Sequence, residues 1–317
     1  MKVMSFFSGI GGNSLGYKTA GHEIIFANEF LKSSADTYEH NFGLEVCRDD
    51  IRTLDPEQLV KRYGMPDIID GSPPCASYSM SGKREKNWGK PKLYAREHSQ
   101  TTDDLLDEFL RMVFAIRPKM VCFENVVGLT TGESRKVLND IYTVFTREGY
   151  QVKAQVLNAA DYGVPQKRRR LFFRANLKGL PAPVFPKPTV KGKVIIKAFE
   201  GIVNTKEELD EVSIVNYSIY KKWLSLKQGE THPVNFNLTR VHPYKICPTV
   251  TALGTDRGSA GLCHWDEPRK FTYPEMLRLS GFPDDFEFVG PLIEGRERLG
   301  RVVCAPVMAE LASCMNL

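Results

Sequence analysis

Lys2-Val3-Met4-Ser5-Phe6-Phe7-Ser8-Gly9-Ile10-Gly11-Gly12 decides the fold class. The apolar run predicts a strand over 2–7, and residues without β-carbons then let the main chain turn tightly and approach a ligand. A helix is expected over 13–20, so the unit reads strand, glycine turn, helix. Working outward, strands are expected at 23–28, 46–51, 67–71, 119–124, 152–158 and 170–174, with helices at 104–116 and 135–148. Such alternation means an α/β fold: a doubly wound, mostly parallel Rossmann-like sheet with sites at the strands' carboxyl ends. The texture changes near Leu177. Leu180-Pro181-Ala182-Pro183 through Pro188 reads as a linker, and the chain to about 265 lacks βα alternation. A helix signal returns over 271–286, and 298–311 reads as a terminal strand or helix rejoining the first core. Two domains are expected: 1–177 with 291–317, and a smaller one at 178–290.

The 317 residues suffice for one large α/β domain and a companion, and 42% hydrophobic with 26% charged residues is ordinary globular composition. Mean hydropathy is −0.29 and no apolar run approaches the roughly 18 residues of a membrane span, which excludes an integral membrane protein. The glycine-broken start does not read as a secretory signal. Cysteines at 47, 75, 122, 247, 263, 304 and 314 form no CxxC pair and are odd in number. Neither a disulfide framework nor a metal site is expected, and a reducing cytoplasm fits. Net charge is only +5, but ten Lys or Arg and no acid lie between Tyr162 and Phe199, and six against the single Glu85 between Gly82 and Arg96. Alone, such runs read as solvated loops; together they could clamp a polyanion.

The glycine turn has a partner. Glu29 follows Gly9 by twenty residues at the end of the second expected strand, where a carboxylate can accept both hydroxyls of a ribose. Phe30 could stack on an adenine, and Asp50 could accept from its amino group. The turn departs from GxGxxG by Ser14, which favours a nucleoside cofactor without phosphates, such as S-adenosylmethionine.

Gly71-Ser72-Pro73-Pro74-Cys75 follows the fourth expected strand directly. A lone cysteine is more often a small buried residue, but a rigid turn at a strand's end shifts the reading toward a nucleophile. Glu124, ending the next strand, would emerge beside it or cap the segment that follows. Gln166, Arg168 and Arg170 would share one face of a further strand and point into the same site, or form an exposed basic patch.

These residues, in this order, resemble the DNA (cytosine-5)-methyltransferase family, of bacterial or phage type, over nearly the whole chain. The resemblance takes in Phe7-Ser8-Gly9-Ile10-Gly11-Gly12, Asn28-Glu29-Phe30, Pro74-Cys75, Glu124-Asn125-Val126 and Gln166-x-Arg168-x-Arg170. Pro248-Thr249-Val250-Thr251 and Arg278-Leu279-Ser280-Gly281-Phe282-Pro283 match segments flanking the end of the family's target-recognition region. It implies S-adenosylmethionine as cofactor, with Phe7, Gly9, Gly11, Gly12, Glu29, Phe30, Asp50 and Ile51 around it and Leu105 lining the pocket or simply packing a helix. It implies duplex DNA as partner, a flipped cytosine, and a monomer. Cys75 would add to C6 so that C5 becomes nucleophilic, while a protonated Glu124 bonds N3 and accepts from the exocyclic amine. Arg170 would hold the O2 edge, and Arg168 a phosphate or the catalytic loop. Ser79, Ser81, Lys83, Arg84 and Gln166 are the DNA-contact candidates. Ala76 departs from the family's glutamine, which leaves open how the gap of the flipped base is filled. A cognate restriction endonuclease fits a cytoplasmic enzyme of this kind, acting at the nucleoid or in a phage-infected cell. RNA modification is the alternative substrate class.

Arg301 also departs from the family, which has asparagine there. The resemblance implies a place near the junction of cofactor, target base and backbone, where a guanidinium about 4 Å from a sulfonium would be repelled by roughly 4 kcal/mol at an effective dielectric near 20, so an anion must compensate or the side chain must point away. A DNA phosphate is one candidate. The other is a carboxylate on the cofactor itself: carboxy-S-adenosylmethionine, giving 5-carboxymethylcytosine.

Overall fold

The computed structural model describes residues 1–74, 92–94, 98–100, 104–132 and 134–315, with main chain only at 92–94 and 98–100. Two compact units emerge: 1–157, 169–187 and 307–317 form the first, and 158–168 with 188–306 the second. The second is wider than the expected 178–290.

The first unit holds a six-stranded sheet. Its strands are β1 (Lys2–Phe6), β2 (Glu23–Asn28), β3 (Ile68–Gly71), β4 (Met120–Asn125), β5 (Tyr150–Asn158) and β6 (Arg169–Leu177), in the order β2-β1-β3-β4-β6-β5. The first four are mutually parallel and β6 runs antiparallel to β4. Phe6 pairs with Asn28 and with Gly71, and Gly71 with Phe123, so the carboxyl ends of four strands lie on one edge. Because β6 is reversed, its amino end meets the carboxyl end of β4, where Asn125 pairs with Leu171. That reversal carries Arg170 to the same edge.

Helices α1 (Gly12–Thr19), α2 (Lys32–Phe42), α3 (Pro56–Tyr63), α4 (Leu105–Ile116) and α5 (Ser134–Arg147) alternate with the strands. Asp55 caps α3 by accepting from the N–H groups of Glu57 and Gln58, with Pro56 in the first turn. In α4, Leu105, Phe109, Met112, Val113 and Ile116 are buried, a helical period that faces one stripe to the core. Phe6, Phe109, Phe123 and Phe173 run through that core in edge-on and stacked pairs. Gly71 leaves room for it: a β-carbon there would sit 2.5 Å from the Phe109 ring. Gly71→Ala should therefore destabilise the chain by about 1–3 kcal/mol through overpacking, read as a lower denaturation midpoint at unchanged slope.

One expected strand and one expected shared face are corrected. The 46–51 segment makes a single parallel bridge, Cys47 to Asn28, and then a tight turn at Ile51–Thr53. Its consecutive charges explain this: Arg48 pairs with Asp36 and Glu39, and Asp50 caps the turn through the Arg52 N–H. The strand expected at 170–174 is present as β6 but starts at Arg169, so Gln166 and Arg168 precede it and do not share one of its faces with Arg170. Proline has no N–H for a ladder, and the chain at 165–167 instead pairs with Cys247, through Lys167 N to Cys247 O (2.7 Å) and Cys247 N to Pro165 O (3.0 Å).

The second unit holds α6 (Ile195–Ala198), α7 (Lys206–Val212), α8 (Ile219–Leu224), α9 (Tyr273–Ser280), α10 (Leu292–Arg301) and the short parallel pair β7 (Thr239–Arg240) and β8 (Leu262–Cys263). Ile214, Ile219, Trp223, Leu226, Leu238 and Cys263 form a core. Arg269 grips Glu275 through both guanidinium ends at 2.8 Å, and Glu275 also closes the capping box of α9 with Thr272. The expected terminal strand or helix is α11 (Ala305–Ser313), separated from α10 by Val302-Val303-Cys304. Among the described residues no helix is long and apolar enough to cross a membrane.

Candidate active site

The glycine turn leaves β1 through three left-handed positions, Phe7 (φ 53°), Gly9 (φ 55°) and Gly11 (φ 95°). For Phe7 such a backbone costs of order 1 kcal/mol. Gly11 has a second constraint, since a β-carbon would sit 2.2 Å from the Phe42 ring. Glu29, nearly buried at the end of β2, braces the turn: its Oε2 accepts from Gly9 N at 2.8 Å and its Oε1 from Leu31 N at 2.9 Å. A carboxylate oxygen can accept from two donors, so both stay competent toward a ligand hydroxyl. Phe30 beside it is 36% exposed.

Asn28 ties the adjoining loop in place by donating from Nδ2 to Cys47 O and Asp49 O, both at 2.9 Å. Asp50 is clamped by Arg52 (2.8 Å), which also grips Asp104. This pairing holds the Asp104 carboxyl below its ordinary range. Ile51 and Leu105 are both buried in the main core, the ordinary packing role for a helix position such as 105.

At the edge formed by the strands' carboxyl ends, Ser72-Pro73-Pro74 leaves β3. Asn125, at the end of β4, donates from Nδ2 to Pro73 O at 3.3 Å, while its Oδ1 accepts from Val126 N at 2.8 Å. One residue earlier, Glu124 Oε1 lies 2.9 Å from Arg170 Nε, with little of either side chain exposed. Arg170 also donates from NH1 to Arg169 O. Cys75, Ser79, Ser81, Lys83 and Arg84 lie outside the described residues.

Gln166 and Arg168 belong to the second unit. Gln166 is 1% exposed; its Nε2 donates to Leu279 O (2.9 Å) and its Oε1 accepts from Val250 N (3.1 Å). Arg168 donates from NH1 to Val250 O and Gly300 O, each at 3.1 Å. Thr249 adds a hydroxyl bond to Lys167 O at 2.6 Å. Both long side chains thus pin the Pro248–Thr251 segment instead of joining Arg170 on one face. Arg301 NH2 lies 2.9 Å from Glu297 Oε1, one turn earlier in the same helix, and Glu297 is itself buried and also 3.6 Å from Arg298 NH1.

Sequence reasoning found Gly9 with Glu29 and Glu124 with Arg170, which the fold brings together. It missed Glu297, although a carboxylate four residues before an arginine on a helix was a readable signal. It also missed Asn125, Asn13, Ser72 and Asp70. Only Asp70 stood out in one dimension, as a charge inside the apolar run Ile68-Ile69-Asp70-Gly71.

The model of the C-5 cytosine-specific DNA methylase family matches residues 1–316. The chain is 32% identical to Type II methyltransferase M.NgoFVII of Neisseria gonorrhoeae, over 98% of this chain and 85% of that one. It is 31% identical to Type II methyltransferase M1.HphI of Haemophilus parahaemolyticus, over 100% of this chain and 87% of that one. In fold it is similar to a crystal structure of a prophage-encoded E. coli chain, with TM-score 0.77 at 22% identity, covering 99% and 98% of the two chains.

Proposed function

Because this chain belongs to the C-5 cytosine-specific DNA methylase family, a family of transferases, we propose that it methylates carbon 5 of cytosine in duplex DNA with Cys75 as nucleophile. The observation that carries the reading is the Glu124–Arg170 pair, set at the strand end whose next residue, Asn125, holds the Ser72-Pro73-Pro74 turn before Cys75. An acid, a guanidinium and a nucleophile's turn on one edge suit a pyrimidine ring.

The family implies S-adenosylmethionine, and the residues present fit its adenosine half. Gly9, Gly11 and Gly12 bring main chain close, Glu29 stands braced by two N–H groups, and Phe30 offers an exposed ring. Asp50 would accept from the adenine amino group, Phe7 and Ile51 would flank the ring, and Leu105 packs beneath. When bound, the cofactor supplies an electrophilic methyl group on a sulfonium.

The Cys75 thiolate adds to C6 of a flipped cytosine, and the displaced electron pair moves toward N3. Glu124 holds the proton at N3 and accepts from the exocyclic amine, while Arg170 steadies the carboxyl group and reaches toward O2. C5, now enamine-like, would take the methyl group, the pair of the broken C–S bond staying with the neutral thioether that leaves. Loss of the C5 proton, to water in this reading, then restores the C5–C6 double bond and expels Cys75 as thiolate, while the N3 proton returns to Glu124. Arg168 and Gln166 act at one remove, through the 248–251 segment. Ser79, Ser81, Lys83 and Arg84 would meet phosphates. Target recognition is assigned to 178–290, where Val234, Phe236, Tyr244 and Leu253 are exposed apolar groups on the second unit. The Type II names of the relatives support a cognate restriction endonuclease, and the protein is taken to act as a monomer. Arg301 has Glu297 at 2.9 Å, a carboxylate that it shares with Arg298 at 3.6 Å, so its presence does not by itself call for a carboxylate on the cofactor, and a methyl group is the expected cargo.

The test is transfer of labelled methyl groups to duplex DNA and to tRNA in parallel, followed by mass spectrometry of the nucleosides, with both cofactors offered. 5-Methylcytosine in the DNA alone is expected. Label confined to tRNA, or 5-carboxymethylcytosine as the product, would overturn the corresponding part.

A further inference from the structure

Central parallel strands covered on both faces are usually apolar throughout, yet β3 carries Asp70 in a segment buried along its whole length. The Asp70 side chain is 1% exposed and accepts from three directions. Asn13 Nδ2 lies at 2.9 Å, Ser5 Oγ at 3.3 Å and Tyr17 OH at 3.4 Å. Asn13 is the second residue of α1, directly after the glycine turn, and its Nδ2 also reaches Ser72 Oγ at 3.3 Å. Ser8, inside the turn, donates to Ser5 O at 3.0 Å and lies 3.2 Å from Ser5 Oγ. One buried carboxyl therefore lies between the glycine turn and the turn that precedes Cys75.

A leucine in its place would satisfy the core more simply. Burial pushes the Asp70 carboxyl up to about 7, against the opposing pull of Asn13, Ser5 and Tyr17, and the nearby Glu124 adds to the rise. Tyr17 on α1, Cys122 and Glu124 on β4 and Arg174 on β6 are the titratable and charged groups around it. Keeping so costly a group at this point requires a reason other than packing.

The geometry points to Asp70 as a positioning residue: it sets Asn13 against Ser72, and so couples the glycine turn to the turn that presents Cys75. This rests on the reading of those two turns as cofactor and nucleophile elements. Asp70→Asn keeps an acceptor oxygen for Asn13 and removes the charge; Asp70→Leu removes the acceptor as well.

The readout is alkylation of Cys75 by iodoacetamide, followed by peptide mass spectrometry, with and without S-adenosylmethionine. In the natural chain the cofactor should change the Cys75 rate at least threefold, and Asp70→Asn should keep that response. Asp70→Leu and the milder Asn13→Ala should bind the cofactor yet lose the response, to within 1.5-fold. An equal response in Asn13→Ala, or no response in the natural chain, would overturn the coupling, and Asn13→Ala decides if Asp70→Leu does not fold. Because the assay needs no methyl transfer, a coupled thiol in a chain that methylates no DNA would sink the functional reading and leave this one standing.

The same carboxyl makes a pH prediction. Its folded pKa lies above the unfolded value of about 3.9, so its contribution to stability is present below that value and lost as pH rises through about 7. Asp70→Asn should thus melt progressively higher than the natural chain as pH goes from 5 to 7, with the gap constant above. A gap that does not change with pH would show that Asp70 is not buried as an acid.

Discussion

Cys75→Ser should abolish cytosine methylation, by about 10⁴-fold or more in kcat, because an alcohol supplies almost no anion at neutral pH to add to C6. Cofactor affinity should stay within threefold, since Gly9, Glu29 and Phe30 are untouched and lie in the turns that follow β1 and β2. A duplex carrying 5-fluorocytosine separates lost chemistry from lost binding. Fluorine cannot leave C5 as a cation, so the natural chain should remain attached to the DNA after denaturation, whereas the serine variant should run free. Undiminished transfer by the variant would end the proposal, whatever the DNA affinity.

The second large effect is expected at Glu124. Glutamine there keeps the shape but has no acidic proton for N3, and before substrate binds it leaves Arg170, 2.9 Å away, without the carboxylate it pairs with. General-acid contributions of this kind are worth roughly 10²–10⁴-fold. A fall in kcat in that range is expected from Glu124→Gln, with little change in cofactor KM. Arg170→Met should cost a similar factor, and the double variant far less than the product of the two, because both substitutions break one pair. Multiplicative losses would mean that the two side chains act separately, and a Glu124→Gln variant within threefold of the natural rate would remove the acid from the mechanism.

Elsewhere the reading of the chain failed where charge overrode pattern. The 46–51 segment has the length of a strand, but its main chain pairs with β2 only around Cys47; Arg48 is drawn to Asp36 and Glu39 on α2, and the carbonyl of Asp49 is met by the side chain of Asn28. At 166–170 the alternation of long polar residues suggested one shared face. Pairing with Cys247 instead sends Gln166 and Arg168 into the second unit and leaves Arg170 alone with Glu124. At Arg301 the nearest carboxylate is Glu297, one helical turn away and also paired with Arg298, a contact that the spacing along the helix already encoded.

What one dimension determined was the order of strand, glycine turn and helix, and the family. Those follow from apolar period, missing β-carbons and rigid prolines, which act on neighbours along the chain. What only the three-dimensional arrangement decided was which polar groups meet. Asn13 and Asp70 stand 57 positions apart, and no local rule couples them. They touch because β1 and β3 pair in one register and α1 leaves β1 through a turn tight enough to lay its first residues over the next strand.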